Sequence, residues 1–413
     1  MDVARRIDPR AGRLLGFDPL RAIAALSVVA YHSAFAARVP LTDNALAPYT
    51  SQLQVGVSIF FLISGFLLYR PFARARLRGE RFPHVRAYAW RRFLRIVPGY
   101  WVALTAVTIW LGLPGVFTET GIPTYYGFAQ VYDAPRAGGG IAQAWTLCVE
   151  VTFYAFLPLW ALAMRRLPGR ADPRRLLAGE LTGLAALFLA SQAYKVWATL
   201  EVHPTSLASA PYLQTLPNFL DQFAVGMALA VLSVWYERRD LPRPLRVLTR
   251  HPWLPWLTAL VAFWVVSTQI GFTGQLLQKF SVRMFLGRHE LYTLIALGLL
   301  LPAVFSEPGR GLTGRVLANR ALIYVGVVSY ALYLYHVAVL NQLDDWLGNA
   351  LTDVLPGGVG WRFGAYLVLG TIGGVAVATL SWYLIERPAL SLKRLAGPVT
   401  EKDRGEVAVE PAP

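Results

Sequence analysis

Apolar residues run through this chain in long unbroken stretches, parted by short polar segments rich in arginine. That is neither the period of two of a half-buried strand nor the narrow stripe of a surface helix. Stretches of this length cross a bilayer as helices. They lie near residues 19–36, 54–70, 93–112, 145–164, 177–200, 217–236, 253–271, 284–306, 321–341 and 362–385 and predict ten spans. An aromatic stretch at 122–132 predicts a short eleventh or re-entrant element, because about eleven residues are too few to cross alone. The expected fold class is an all-α integral membrane protein of ten helices, or eleven if 122–132 enters the bilayer, with no appended soluble domain. A transmembrane domain over 1–396 and a charged, proline-bearing tail at 397–413, expected to be disordered and cytoplasmic, complete the organisation.

Composition agrees: 55% of residues are hydrophobic and 15% charged, and mean hydropathy is +0.43, outside the range of soluble globular chains. The net charge of +15 is explained by where the basic residues fall. With a cytoplasmic N-terminus, inner segments hold nine Arg between Arg70 and Arg95, five between Arg165 and Arg175 and five between Arg238 and Arg250, whereas outer loops hold Arg38, Arg136, Lys279 and Arg283. This positive-inside asymmetry puts both termini in the cytoplasm and leaves no charge excess that calls for nucleic acid. The lone Cys148 excludes an intramolecular disulfide and a cysteine metal cluster, and no metal site is read elsewhere. Ala34-Phe35-Ala36 mimics a signal cleavage site, but the run before it carries Arg21 and His32 and reads as a helix of the bundle.

Arg21 and His32 are the strongest chemical signal, because an ionisable residue inside a span is costly and is functional by default. Their eleven-residue separation leaves them roughly 20° apart around the helix and roughly 16 Å apart along it. One face therefore carries a cation near the membrane surface and an imidazole deep inside.

The segments FDPLRAIAALSVVAYHSAF (17–35), GVSIFFLISGFLLYRPF (56–72), RRFLRIVPGYW (91–101), AWTLCVEVTFYAFLP (144–158), VSYALYLYHVAV (328–339) and SWYLIERPAL (381–390) resemble, in order, the motifs of membrane-bound acyltransferase family 3. That family includes bacterial O-antigen acetylases and the nodulation-factor and macrolide acyltransferases. The resemblance covers nearly the whole chain. It implies a helical enzyme of the bacterial cytoplasmic membrane that takes an acyl group, most simply acetyl, from cytoplasmic acyl-CoA and delivers it to a hydroxyl, often on an envelope glycan or glycolipid. Residue by residue, the family's Arg and His fall on Arg21 and His32, its paired arginines on Arg92 and Arg95, its Phe-Phe-x-x-Ser-Gly-Phe on Phe60 to Phe66, and its Trp-Ser-Leu-x-x-Glu on Trp145 to Glu150. Ser58 and Val151 stand where the family often has carboxylates, and Thr146 replaces a serine.

The chemistry of the residues fits beside this. The phosphates of acyl-CoA call for bidentate, delocalised cations, and Arg92 and Arg95 share one helical face at the cytoplasmic mouth, where plain positive-inside charge is the competing reading. His32 suits a general base for the acceptor hydroxyl, and Glu150, placed by depth near it, suits the group that orients the imidazole; each has a structural alternative. Ser64 with Gly65 reads first as a close helix contact and second as a donor to the reacting oxygen. His336 is open between a structural and an acceptor-site role. Arg288, His289 and Glu290 with Asp221 form either an acceptor site or an interfacial ion cluster. Glu386-Arg387-Pro388 reads as a structural helix stop. A proton-coupled transporter or flippase is the rival class, though no internal repeat supports it; an acyltransferase acting on a small metabolite such as a macrolide differs only in acceptor.

Overall fold

A backbone that cannot reach water must satisfy its amides within its own segment, and the apolar runs of this chain do so as helices. The structure, a computed structural model, describes residues 16–166, 172–201, 209–274, 278, 281–306, 311–353 and 358–393, and no strand occurs among them. The architecture rests on α1 (Phe17–Ala36), α2 (Gly56–Arg78), α3 (Val85–Leu111), α4 (Trp145–Arg166), α5 (Pro173–Glu201) and α6 (Leu216–Trp235). The chain continues through α7 (Trp253–Thr268), α8 (Val282–Phe305), α9 (Arg320–Val327), α10 (Ser329–Asp353) and α11 (Gly358–Ser381), which passes through a π-helical turn at Trp382–Glu386. The expected tail at 397–413 lies outside the described residues.

Among the described residues eight helical segments are long and apolar enough to cross a membrane, and nine if α9 and α10, bent by 76° at their junction, count as one crossing. The difference from the ten expected spans has two local causes. The run at 253–271 becomes a helix of only 16 residues, because helix geometry stops at Thr268 short of Gly271. The run at 321–341 breaks at Val328, where hydropathy alone gives no warning. The stretch 122–132 forms a helical turn at Gly121–Tyr126 and a 3-10 turn at Gln130–Tyr132. It packs Tyr125, Phe128 and Val131 against Tyr100 and Leu104 of α3 and Cys148 of α4. The Tyr100 hydroxyl and the Trp101 indole of α3 donate to the carbonyls of Tyr125 and Tyr126, each at 3.0 Å.

In a bilayer the lipid is as apolar as leucine, so helices associate by close packing rather than by water exclusion. A close and extensive contact joins α2 and α6 through two reciprocal glycines. A Cβ on Gly65 would sit 2.4 Å from the Phe223 carbonyl oxygen, and one on Gly226 would sit 2.3 Å from that of Leu62. Phe61 and Phe153 stack on Phe223 at 4.8 and 3.9 Å between centroids, which draws α4 into the same core. Gly65 is thus the close contact expected of it. At the arginine-rich ends, Glu237 pairs with Arg70, Arg74 and Arg78, and the fully buried Glu180 takes Arg76 at 2.8 Å and the Tyr69 hydroxyl at 2.5 Å. Much of the charge between Arg70 and Arg95 therefore ties helices together.

α1 lies against α9, α10 and α11 as well as α2. It crosses α9 at Gly326, where a Cβ would fall 1.9 Å from the Asp18 carbonyl oxygen. The break at Val328 then lets α10 run alongside α1, with Tyr330, Tyr333 and His336 following one another at three-residue steps.

Candidate active site

A cavity opens among α1, α2, α3, α4 and α10. Its charged wall comprises Arg21, Arg92, Arg95 and Glu150, and its apolar wall Phe60, Phe61, Leu67 and Leu68. Arg21 is held by Asp18, one turn earlier on α1, at 2.8 Å. The Nε of Arg92 is buried without a hydrogen-bond partner among the described residues. Arg95 lies over the Tyr330 ring, 5.6 Å from its centroid, and Tyr330 is fixed by donating to the Ile96 carbonyl at 2.7 Å. Glu150 accepts from Ser64 at 3.0 Å and from Tyr154, one turn along its own helix, at 3.1 Å. Three guanidinium groups from two helices and one carboxylate thus line one chamber together with hydroxyl-bearing and apolar side chains, an arrangement suited to an anionic ligand.

Tyr333 closes one end, edge-on to Phe60 at 6.1 Å and bonded to Thr146 at 2.8 Å. One turn further along α10, the buried His336 meets His32 of α1. The His336 Nδ1 faces the carbonyl oxygens of Tyr333 at 2.8 Å and Leu332 at 3.1 Å. A carbonyl only accepts, so Nδ1 carries the hydrogen and Nε2 of the neutral ring is an acceptor. That Nε2 lies 3.0 Å from Nδ1 of His32, which also lies 3.0 Å from the Val28 carbonyl. Both neighbours of the His32 Nδ1 accept, so it carries the hydrogen, and the lone pair of His32 is left on Nε2. This tautomer is assigned by the network and is the one a general base requires.

A sequence model described as an acyltransferase domain matches residues 14–385. The chain belongs to acyltransferase family 3. It is 26% identical to Nodulation protein 10 of Rhizobium leguminosarum bv. viciae over 364 residues, 82% of each chain. It is also 26% identical to Acyltransferase MdmB of Streptomyces mycarofaciens over 373 residues, 83% of each chain. To the Putative peptidoglycan O-acetyltransferase YrhL of Bacillus subtilis (strain 168) it is 25% identical over 397 residues, which is 90% of this chain but 54% of that one. The chain thus spans about half the length of that relative. No solved structure matches. This family 3 acyltransferase is a multi-pass membrane enzyme.

Within the acyltransferase, the residues singled out by sequence divide into three groups. Arg21, Arg92, Arg95, Ser64 and Glu150 converge on the one cavity. His32 stands beyond it, and the expected partnership with Glu150 is replaced: the oriented partner is His336, while Glu150 bonds Ser64 and Tyr154. α4 begins with Trp145 packed on Phe219 and Thr146 bonded to Tyr333, and its next turn sets Glu150 in the cavity wall with the arginines. His336 is thus a neighbour of the His32 imidazole. The third group, Asp221, Arg288, His289 and Glu290, lies apart from the cavity, and the Gln192 amide links two of its members by donating to Asp221 at 3.2 Å and to Glu290 at 2.5 Å. Asp221 is locked, fully buried, against Lys195. His289 is buried beside Phe219 and Phe285, and Arg288 lies over Phe272 and Phe285. Among the described residues no cluster of His, Cys, Asp and Glu is arranged to hold a metal. Sequence reasoning missed Tyr154, Tyr330 and Tyr333; the spacing of Tyr154 four residues after Glu150 was the signal for the first.

Proposed function

We propose that this acyltransferase moves an acyl group, most simply acetyl, from acyl-CoA at the cytoplasmic face to a hydroxyl of an envelope glycan or glycolipid. The observation that carries the reading is the convergence of Arg21, Arg92 and Arg95 on a cavity whose last lining residue on α10, Tyr333, lies one turn before His336, the partner of the tautomer-fixed His32. The arginines bind the donor phosphates with bidentate geometry. His32 Nε2 takes the proton of the acceptor hydroxyl, the oxygen attacks the thioester carbonyl, and the C–S bond breaks as CoA leaves. The departing thiolate collects the proton from the imidazolium, so the ring ends as it began. Glu150, shared by Ser64 and Tyr154, balances the arginine charge when the donor is absent. Relatives whose names carry peptidoglycan O-acetyltransferase support a glycan acceptor.

In the membrane the reading takes α7 as a short crossing and α9 with α10 as one broken crossing. That makes ten crossings of the bacterial cytoplasmic membrane with both termini inside, as the arginine asymmetry requires. The test is release of free CoA from acyl-CoA by purified protein in nanodiscs, scanned over acyl chain length, for wild type, His32→Ala and Arg92→Ala. Turnover lost in His32→Ala, and a raised donor KM in Arg92→Ala, are the expected results. Absence of CoA binding by any acyl form would overturn the reading.

A further inference from the structure

The last helix does not end in a simple stop. At Trp382–Glu386 the helix widens into a π turn, and the Glu386 side chain, 3% exposed, is carried into the protein. An inserted residue turns the following positions by roughly 100° about the axis, so the π turn decides which way Glu386 faces. Among the described residues neither Glu386 carboxylate oxygen has a hydrogen-bond partner, and the cation paired with it is Arg95 at 3.8 Å. A buried carboxylate left this way is costly unless its charge serves another group. Room for it is made on α3, where Gly99 replaces any side chain: a Cβ there would lie 2.9 Å from the Tyr330 ring and 3.4 Å from the Glu386 Cγ. Arg95 lines the cavity and Glu386 does not, so the carboxylate sits behind the guanidinium, on the side away from a ligand.

We infer that Glu386 is a positioning residue that holds Arg95 against Tyr330 and aims its guanidinium into the cavity for the donor's phosphates. The inference rests on the acyl-CoA reading above. Two effects oppose each other when the carboxylate is removed. Arg95 regains the rotamer freedom of a long side chain, which weakens binding. The ligand also loses a like charge, which strengthens it, but that charge lies beyond Arg95 and is offset by it. Orientation therefore dominates, and the donor site weakens.

The experiment uses the full chain in nanodiscs with acetyl-CoA as donor and CoA as binding probe, comparing wild type, Glu386→Gln, Glu386→Asp, Arg95→Gln and Arg95→Gln with Glu386→Gln. Glu386→Gln should raise donor KM and CoA Kd by about five- to tenfold, with kcat changed less than about twofold; a tenfold change corresponds to about 1.4 kcal/mol. Glu386→Asp should recover part of the affinity. In the Arg95→Gln background the second substitution should change nothing, since the residue acts only through Arg95. An unchanged or lowered KM, a fall confined to kcat, or an equal effect without Arg95 would overturn the inference. Should Glu386→Gln not fold, Glu386→Asp alone decides, since a role in aiming Arg95 predicts a raised Kd there as well. Wild-type protein that does not bind CoA would instead fail the acyl-CoA reading itself.

Discussion

Removing the His336 imidazole should slow catalysis far less than removing that of His32, and the margin follows from geometry. His32 Nδ1 has two acceptors, His336 Nε2 and the Val28 carbonyl, both at 3.0 Å. His336→Ala leaves the second in place, so the tautomer that frees His32 Nε2 survives and only the orientation of the ring is loosened. One lost buried hydrogen bond is worth about 1–2 kcal/mol. Taken wholly from the transition state, that is roughly a five- to thirtyfold fall in kcat. Loss of the base itself in His32→Ala is worth about 100- to 10,000-fold. His336→Gln, whose amide oxygen reaches about where Nε2 lies, should restore most of the activity. Single-turnover CoA release in nanodiscs, with thermal unfolding to check each variant, measures all three. If His336→Ala were as damaging as His32→Ala in a folded protein, the roles of the two rings would be exchanged or both would carry protons. If it had no effect, the pair would not belong to the reaction.

Two further outcomes test the packing beneath the site. Asp221→Asn should strand the fully buried Lys195 charge and cost roughly 3–5 kcal/mol, seen as a lowered melting temperature in detergent, whereas Lys195→Met with Asp221→Leu should recover most of it; a double variant no better than the single would show that the pair does more than hold α5 to α6. Gly65→Ala should cost roughly 1–3 kcal/mol by pressing a methyl group on the Phe223 carbonyl, while Gly179→Ala, whose nearest neighbour would be the Arg76 guanidinium at 3.9 Å, should be neutral or gain up to about 1 kcal/mol of helix propensity. Equal melting temperatures for the two variants would refute the close α2–α6 contact.

Sequence made the helices and their axial contents legible, because hydropathy fixes where a chain lies in the bilayer and counting fixes depth along a helix. Arg21, Arg92 and Arg95 were placed near one level by that means and line one cavity. What counting does not give is which helices are neighbours. His32 and His336 stand 304 positions apart, and nothing in either helix alone names the other as partner. The same gap hid the Lys195–Asp221 pair, because Asp221 reads from sequence as a companion of Arg288, His289 and Glu290. Hydropathy likewise locates the α4 span without naming Ser64 of another helix as a partner of Glu150. Glu386 was read as part of a helix stop because a π turn leaves hydropathy unchanged while turning the face.

The break between α9 and α10 explains why the arginine cavity and the histidine pair line up. α9 is pinned beneath α1, with Gly326 against the Asp18 carbonyl, the same Asp18 whose carboxylate holds Arg21. An unbroken helix leaving that contact would carry its next turns away from α1. The 76° bend, with the Ser329 hydroxyl bonded to the Gly326 carbonyl at 2.8 Å, instead brings α10 alongside α1. Each of the two helices then presents one group to the arginine end and one to the histidine pair. α1 offers Arg21 and His32 about 16 Å apart, and α10 offers Tyr330 and His336 about 9 Å apart. A single irregularity thus registers the Arg95 platform and the partner of His32 on one rigid helix. Irregular backbone at membrane depth is tolerated only where protein or a cavity surrounds it. Here it lies where the cavity is, lined on that side by Ser329 and Tyr330 themselves.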